Sequence, residues 1–323
     1  MKFTIRLLIT YILLPSLAYS QKDTLIKKLD STSKVQTDTS KNGHNNIKQE
    51  NYNEVTKITA HTYFVLLESD IKQQVSAPFH IKQKDYPKIA AFAVITGGLI
   101  WTDESINQFA VNLRNNSSAV VDVSKYTTRF GGQYEVAALL AMGSYGFLFQ
   151  HEKIKTTTLL ATQAYLSSAL IFESMKFLTG RQRPNYYDPK NGENDPAFHG
   201  PFYQFKKTPA GSKPPTSSYT SFPSGHTCVA FAAATVYAME YHDRLLVPII
   251  SYSAASLIGL SRITENKHWA SDVFVGAALG YLCGKQVVNN YHRYSKLQKQ
   301  KQSLSFTMDY FNGKVLPGLV YKF

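Results

Sequence analysis

Six apolar stretches, Ile89–Trp101, Val136–Phe149, Thr157–Phe172, Thr227–Met239, Leu245–Ser261 and Val273–Cys283, dominate the middle of the chain. Each is rich in Ala, Leu, Ile and Val, a pattern that predicts helices packed into one bundle. The short polar turn His242-Asp243-Arg244 makes the fourth and fifth antiparallel neighbours. Upstream, His61 to Phe79 mixes Tyr63, Phe64, Val65, Leu66, Leu67 and Ile71 with polar residues and reads as an amphipathic helix stopped at Pro78. Downstream, Lys285 to Lys301 carries Lys285, Arg293, Lys296, Lys299 and Lys301 and no acid, as on a solvated helix face or one lying on anionic lipid. From Ser303 the residues alternate through Leu304, Phe306 and Met308 to Asn312-Gly313 and resume with Val315 and Val320, a hairpin signal. The expected fold is therefore all-α, a bundle of about six core helices, with a short C-terminal β-hairpin.

The ends of the chain differ from this middle. Lys2 and Arg6, the apolar run Leu7–Ala18 and the small residues Ala18 and Ser20 have the form of a secretory signal cleaved after Ser20; an uncleaved anchor is the other reading. Residues 21–60 are polar, with Tyr52 the only aromatic, and cannot bury enough apolar surface to offset ordering. The expected division is a signal peptide over 1–20, a disordered linker over 21–60, a helical domain over 61–302 and a tail over 303–323. One long loop, Asn185 to Phe222, holds Pro189, Pro196, Pro201, Pro209, Pro214 and Pro215, and a loop of that length in a compact domain usually serves a site. We expect a substrate-facing lid there.

Charge narrows the partners. Lys and Arg total 35 against 22 Asp and Glu, a formal charge of +13, which suits nucleic acid, an anionic membrane surface or a phosphorylated substrate. The only two cysteines, Cys228 and Cys283, sit inside apolar runs without metal-ligand spacing and read as core residues.

Three short clusters carry candidate chemistry. In the first, seven positions separate Lys176 from Arg183 just before Pro184, so two helical turns would place both cations on one face, with Pro184 ending the helix. In the second, Phe222-Pro223-Ser224-Gly225-His226 precedes an Ala-rich run: Ser224 can cap the helix, and Gly225 lets an anion approach the free N–H groups. In the third, Ser261-Arg262 is followed by His268-Trp269-Ala270-Ser271-Asp272. His268 and Asp272 stand four apart, on one helical face, where the carboxylate can accept a hydrogen bond from one imidazole nitrogen and leave the other unprotonated as a nucleophile. Taken singly, each has a plain structural reading: a basic helix end, an ordinary cap, a helix-start pair. Their combination changes the odds.

The pattern K-x6-R-P, P-S-G-H and S-R-x5-H-x3-D resembles that of the type 2 phosphatidic acid phosphatases and their relatives, the bacterial non-specific acid phosphatases and vanadium haloperoxidases. Lys176, Arg183, Pro184, Pro223, Ser224, Gly225, His226, Ser261, Arg262, His268 and Asp272 fill every defining position, and the resemblance spans roughly Ile89 to Val287. It implies that His268 attacks phosphorus, that Asp272 orients it, and that His226 protonates the leaving oxygen and then activates water. It further implies that Lys176, Arg183, Arg262, Ser224 and Gly225 hold the phosphate oxygens. No metal and no cofactor is expected.

The expected activity is thus hydrolysis of a phosphomonoester or diphosphate, with a lipid phosphate as partner, membrane association and no nucleic acid. The alternatives are a soluble periplasmic acid phosphatase, a vanadate-dependent haloperoxidase using the same pocket, and a non-catalytic phosphate- or lipid-binding module. A spanning helix needs about 20 apolar residues, and most of the six cores are shorter. A cleaved signal followed by six spans would also put Arg183 in the cytoplasm. The expected location is outside the cytoplasm, in the periplasm or envelope membrane, with either a retained anchor or a bundle that does not span fully.

Overall fold

The structure, a computed structural model, describes residues 57–186, 195–205, 216–311 and 314–321. The expected signal peptide and residues 21–56 of the expected linker lie outside the described residues, as do most of the loop's prolines and the Asn312-Gly313 turn.

Eight α-helices form an all-α bundle among the described residues: α1 Ala60–Ser76, α2 Tyr86–Asn115, α3 Ser118–Phe130, α4 Gln133–Leu148, α5 Glu152–Thr179, α6 Gly225–Glu240, α7 Leu246–Thr264 and α8 Ala270–Ser303. The six apolar stretches lie in α2, α4, α5, α6, α7 and α8. The amphipathic helix of the N-terminal side is α1, whose Thr59 hydroxyl accepts from the Thr62 amide at its N-cap. It ends at Ser76, and Pro78 falls in the 3-10 turn Ala77–His80. Helix α3 is additional to the sequence expectation, because its apolar residues are interrupted by Asp122, Ser124, Lys125 and Arg129 and form no long run. The basic stretch after residue 285 continues α8 without a break and buries Val287, Val288, Tyr291 and His292, so it is not merely a solvated face. Beyond it, β1 (Leu304–Phe311) and β2 (Lys314–Tyr321) pair antiparallel, with Leu304 opposite Tyr321.

The centre of the bundle joins α5, α6 and α8. Leu160, Ala161 and Ala164 of α5, Ala232 and Val236 of α6, and Val287, Val288 and Tyr291 of α8 form one buried cluster. Small residues let α6 and α8 approach closely. A Cβ on Gly276 would stand 2.6 Å from the Ser224 carbonyl oxygen and one on Gly284 2.5 Å from that of Ala232; one on Gly280 would collide with the Cys228 carbonyl. Cys228 and Cys283 are both free and buried at this seam, as expected.

The outer helices are of another kind. The stretches Gln83–Asn115 and Leu246–Thr264 are long and apolar enough to cross a membrane, and little of either apolar window is buried inside the protein. Val94, Trp101, Leu148 and Ile250 are all exposed, Trp101 at 90%. Large apolar side chains spread over several helices in this way support association with a membrane.

Candidate active site

The N-termini of α6 and α8 and the C-termini of α5 and α7 converge at one end of the bundle. Helix α5 ends at Gly180, which takes left-handed angles (φ 53°, ψ 40°) where a Cβ would strike the Gly200 carbonyl. The chain then runs out of the helix, so Arg183 is not on the face that carries Lys176, and Gly180 rather than Pro184 stops the helix. The Arg183 amide donates to the Ser218 carbonyl at 2.8 Å and its Nε to that of Ser217 at 2.7 Å, anchoring it to the far side of the loop. Lys176 stays on the last turn of α5, with Nζ 2.7 Å from Glu173 Oε1 and over the Phe172 ring.

The described parts of the long loop are packed. The amides of Gly200 and Phe202 donate to carbonyls of the last α5 turn, the Ser221 amide donates to the Arg181 carbonyl at 3.0 Å, and Tyr219, Ser221 and Phe222 are buried. This part of the expected lid is therefore a wall of the site.

Ser224 occupies the N-cap of α6, but its hydroxyl does not cap the helix. It pairs with the Thr227 hydroxyl at 2.9 Å, while its amide donates to the Asp272 carbonyl. A Cβ on Gly225 would lie 2.8 Å from the Phe172 ring and 3.2 Å from Lys176 Nζ, so packing against α5 as well as anion approach calls for glycine. His226 lies under the α3–α4 connection, where a Cβ on Gly132 would come within 3.3 Å of Nε2.

His268 precedes α8, which begins at Ala270, so it does not share a helical face with Asp272. The Arg262 carbonyl accepts from the amides of Lys267 and His268, and Asn266 takes a positive φ of 57° in the tight turn between them. His268 Nδ1 stands 2.7 Å from the Ser221 carbonyl and 3.6 Å from Asp272 Oδ2. A carbonyl can only accept, so Nδ1 carries the hydrogen and Nε2 holds the lone pair. The tautomer that the sequence attributes to Asp272 is thus set first by a backbone carbonyl. Asp272 acts one step back: Oδ2 accepts from the Trp269 amide at 2.9 Å, a capping-box contact, and from the Ser221 hydroxyl at 2.5 Å.

Charge binds these parts together. Burial first, then Arg262, Lys176 and Arg183, pushes His226 down to about 3. His268 is likewise held at about 3 by burial and then Arg183, against the opposing pull of Asp272. Burial alone would raise the Asp272 carboxyl, but Arg181, then His268 and Ser221, hold it below the usual carboxylate value. All three expected cations therefore act on His226, and two of them on His268. Two neutral imidazoles facing three cations make a site for an oxyanion, with one unprotonated nitrogen available to it.

Four contributors escaped the sequence reading. Arg181 is fully buried and Asp103 of α2 is paired with it at 2.7 Å. The Ser221 carbonyl orients His268, and Lys267 adds a further cation within electrostatic reach of Arg183 and Arg262. Arg181 was visible between Lys176 and Arg183 but had no assigned part. Asp103 lies just past the apolar run Ile89–Trp101, and no motif spacing ties it to the three clusters. Among the described residues, no three His, Cys, Asp or Glu side chains gather as a metal site.

Residues 156–296 match the family described as the PAP2 superfamily. The matching segment holds every motif residue named above, whereas α1 to α4 precede it. Among curated proteins, the chain is 47% identical over 74 residues to lipid A 1-phosphatase from Porphyromonas gingivalis, covering 23% of this chain and 17% of that one. It is 34% identical over 149 residues to lipid phosphate phosphatase 1 from Arabidopsis thaliana, covering 40% of this chain and 44% of that one. The chain thus spans less than half the length of either relative. Among solved structures, it is similar to Aquifex aeolicus LpxE, at 27% identity over 55% of this chain and 90% of that one, with a TM-score of 0.38.

Proposed function

We propose that this chain is a metal-independent phosphatase acting on lipid phosphates at a membrane outside the cytoplasm, through a phosphohistidine on His268. The observation that carries the reading is the Nδ1–Ser221 contact of 2.7 Å, which leaves Nε2 of a neutral His268 as a lone pair beside Arg183 and Arg262. In this mechanism Nε2 attacks phosphorus while Lys176, Arg183, Arg262, the Ser224 hydroxyl and the Gly225 amide hold the oxygens and stabilise the transition-state charge. His226 gives its proton to the leaving oxygen as the P–O bond breaks. It then takes a proton from the water that attacks the phosphohistidine, which releases phosphate and restores Nε2. His226 is neutral in the empty site, so that proton arrives with substrate: a phosphate ester carries one below its second pKa of about 6.

The exposed apolar faces of α2 and α7 and the names of the relatives, a lipid A phosphatase and a lipid phosphate phosphatase, support a lipid as the substrate. The apolar N-terminal run supports export. The test is fractionation of expressed cells followed by phosphate-release assays on lipid and on water-soluble phosphate esters, with and without a chelator. Activity should follow the detergent-extracted membrane fraction, favour the lipid ester and survive the chelator. Activity confined to the soluble fraction would remove the lipid reading, and loss restored by a divalent ion would remove the metal-free one.

A further inference from the structure

Behind the proposed nucleophile lies a second, fully enclosed layer of charge. Arg181 Nη1 donates to Asp272 Oδ1 at 2.5 Å and to the Ser271 hydroxyl at 2.7 Å, while Nη2 donates to Asp103 Oδ2 at 2.7 Å and Nε to the Pro196 carbonyl at 3.0 Å. Asp103 receives in turn the Ser271 amide at 2.9 Å and the Ser271 hydroxyl at 2.5 Å. The guanidinium lies over the rings of Phe198 and Trp269. All three ionic side chains are closed to solvent.

Such a cluster is costly to bury, because each charge leaves water and is offset only by good geometry within the group. Here each nitrogen of Arg181 has a partner, and the Nη1 bonds reach the first turn of α8 and, through Asp272, the Trp269 amide and the Ser221 hydroxyl on either side of His268. The position of Asp103 is also unusual. It is a buried carboxylate on α2, a helix otherwise exposed along most of its apolar length, and α2 lies outside the segment that matches the family.

We propose that Asp103 and Arg181 are positioning residues for the reaction at His268: Asp103 fixes Arg181 and Ser271, and Arg181 fixes the carboxylate behind the imidazole. The inference rests on the phosphohistidine reading. Counted together, two carboxylates and one guanidinium leave one net negative charge beside a ring that becomes cationic once Nε2 bonds to phosphorus while Nδ1 keeps its hydrogen. Removing the charge of Asp103 makes the cluster neutral and frees Arg181 to draw Asp272 away from the ring. The phosphate cage of Lys176, Arg183 and Arg262 is built from other contacts and should be unaffected. The expected signature is therefore in the chemical step rather than in binding.

The experiment uses the full-length protein in detergent with Asp103→Asn and Arg181→Lys, and Ser271→Ala as a milder variant should either fail to fold. Each is assayed for kcat, KM, inhibition by inorganic phosphate, phosphoenzyme formation from an activated ester, and melting temperature. Asp103→Asn should lower kcat and the phosphoenzyme formation rate by tenfold or more, with KM and phosphate inhibition within twofold; Ser271→Ala should do the same to a lesser degree. Unchanged kcat in all three variants would overturn the proposal. So would a fall in kcat matched by a parallel loss of phosphate affinity, which would mean only that the site had come apart. A wild-type protein that releases no phosphate would instead sink the functional reading, and that is seen before any variant is compared.

Discussion

Helices α2 and α6 are both apolar in sequence and meet opposite surroundings. Most of α6 is buried, its Ala, Val and Thr residues enclosed by α5, α7 and α8. In α2 the buried residues are Asp103, Asn107 and Ala110, while Val94, Ile95, Trp101 and Phe109 are exposed. One helix is apolar because other helices surround it. The other buries Asp103 and Asn107 and exposes its large apolar side chains, as expected where apolar surroundings cover that face. Small residues at close spacing mark the first kind and bulky aromatics the second, so residue size separates them where hydropathy does not.

The largest expected effects lie at the buried end. His268→Ala should lower turnover by a factor on the order of 10⁴ or more and leave no phosphoenzyme from any substrate, since nothing else in the site replaces the nucleophile. His226→Ala should cost about 10² to 10⁴ on alkyl phosphates, yet trap an acid-labile phosphoenzyme from nitrophenyl phosphate, whose leaving group needs no proton. Rapid quench with radiolabelled ester reads both; label retained on His268→Ala protein would reject the assignment of nucleophile.

A smaller effect should appear with pH. His226 is held down to about 3, so the empty site gains a proton only below that value, and the catalytic proton is lost as pH rises past the second ionisation of the ester. The value of kcat/KM for an alkyl phosphate should thus fall above about pH 6, by up to about tenfold per unit, and fall less for nitrophenyl phosphate. A profile that climbs with pH for the alkyl ester would contradict this sign.

Packing variants sharpen the contrast between the two helices most directly. Gly280→Ala would push a methyl group into the Cys228 carbonyl and should destabilise by about 1–3 kcal/mol despite the better helix propensity of alanine. Trp101→Ala, at an exposed position, should change stability in detergent by less than about 0.5 kcal/mol. Thermal melts of the two side by side decide it; equal losses would mean that α2 is packed against something the bundle alone does not contain.

Much of this was legible in the sequence. The six apolar runs, α1 and the three clusters all point to the bundle end at which they meet, because local periodicity and short motifs record local structure. What was hidden is long-range. Helix α3 alternates apolar and polar residues and has no long apolar run to stand out. The left-handed turn at Gly180, which moves Arg183 off the helix, depends on the return of the loop at Gly200. The pairing of Asp103 with Arg181 and Ser271 crosses 78 and 168 positions, and no spacing rule links them. The orienting partner of His268 is a carbonyl, a group that every residue carries and that no residue letter can announce.

That carbonyl has a regiochemical consequence. With Nδ1 tied to Ser221, the imidazole has a single basic nitrogen, so any phosphoryl group it accepts goes to the tele position and the pros isomer is closed off. The two isomers are separable after alkaline digestion of labelled protein, so the identity of one phosphoamino acid reports the orientation of one ring.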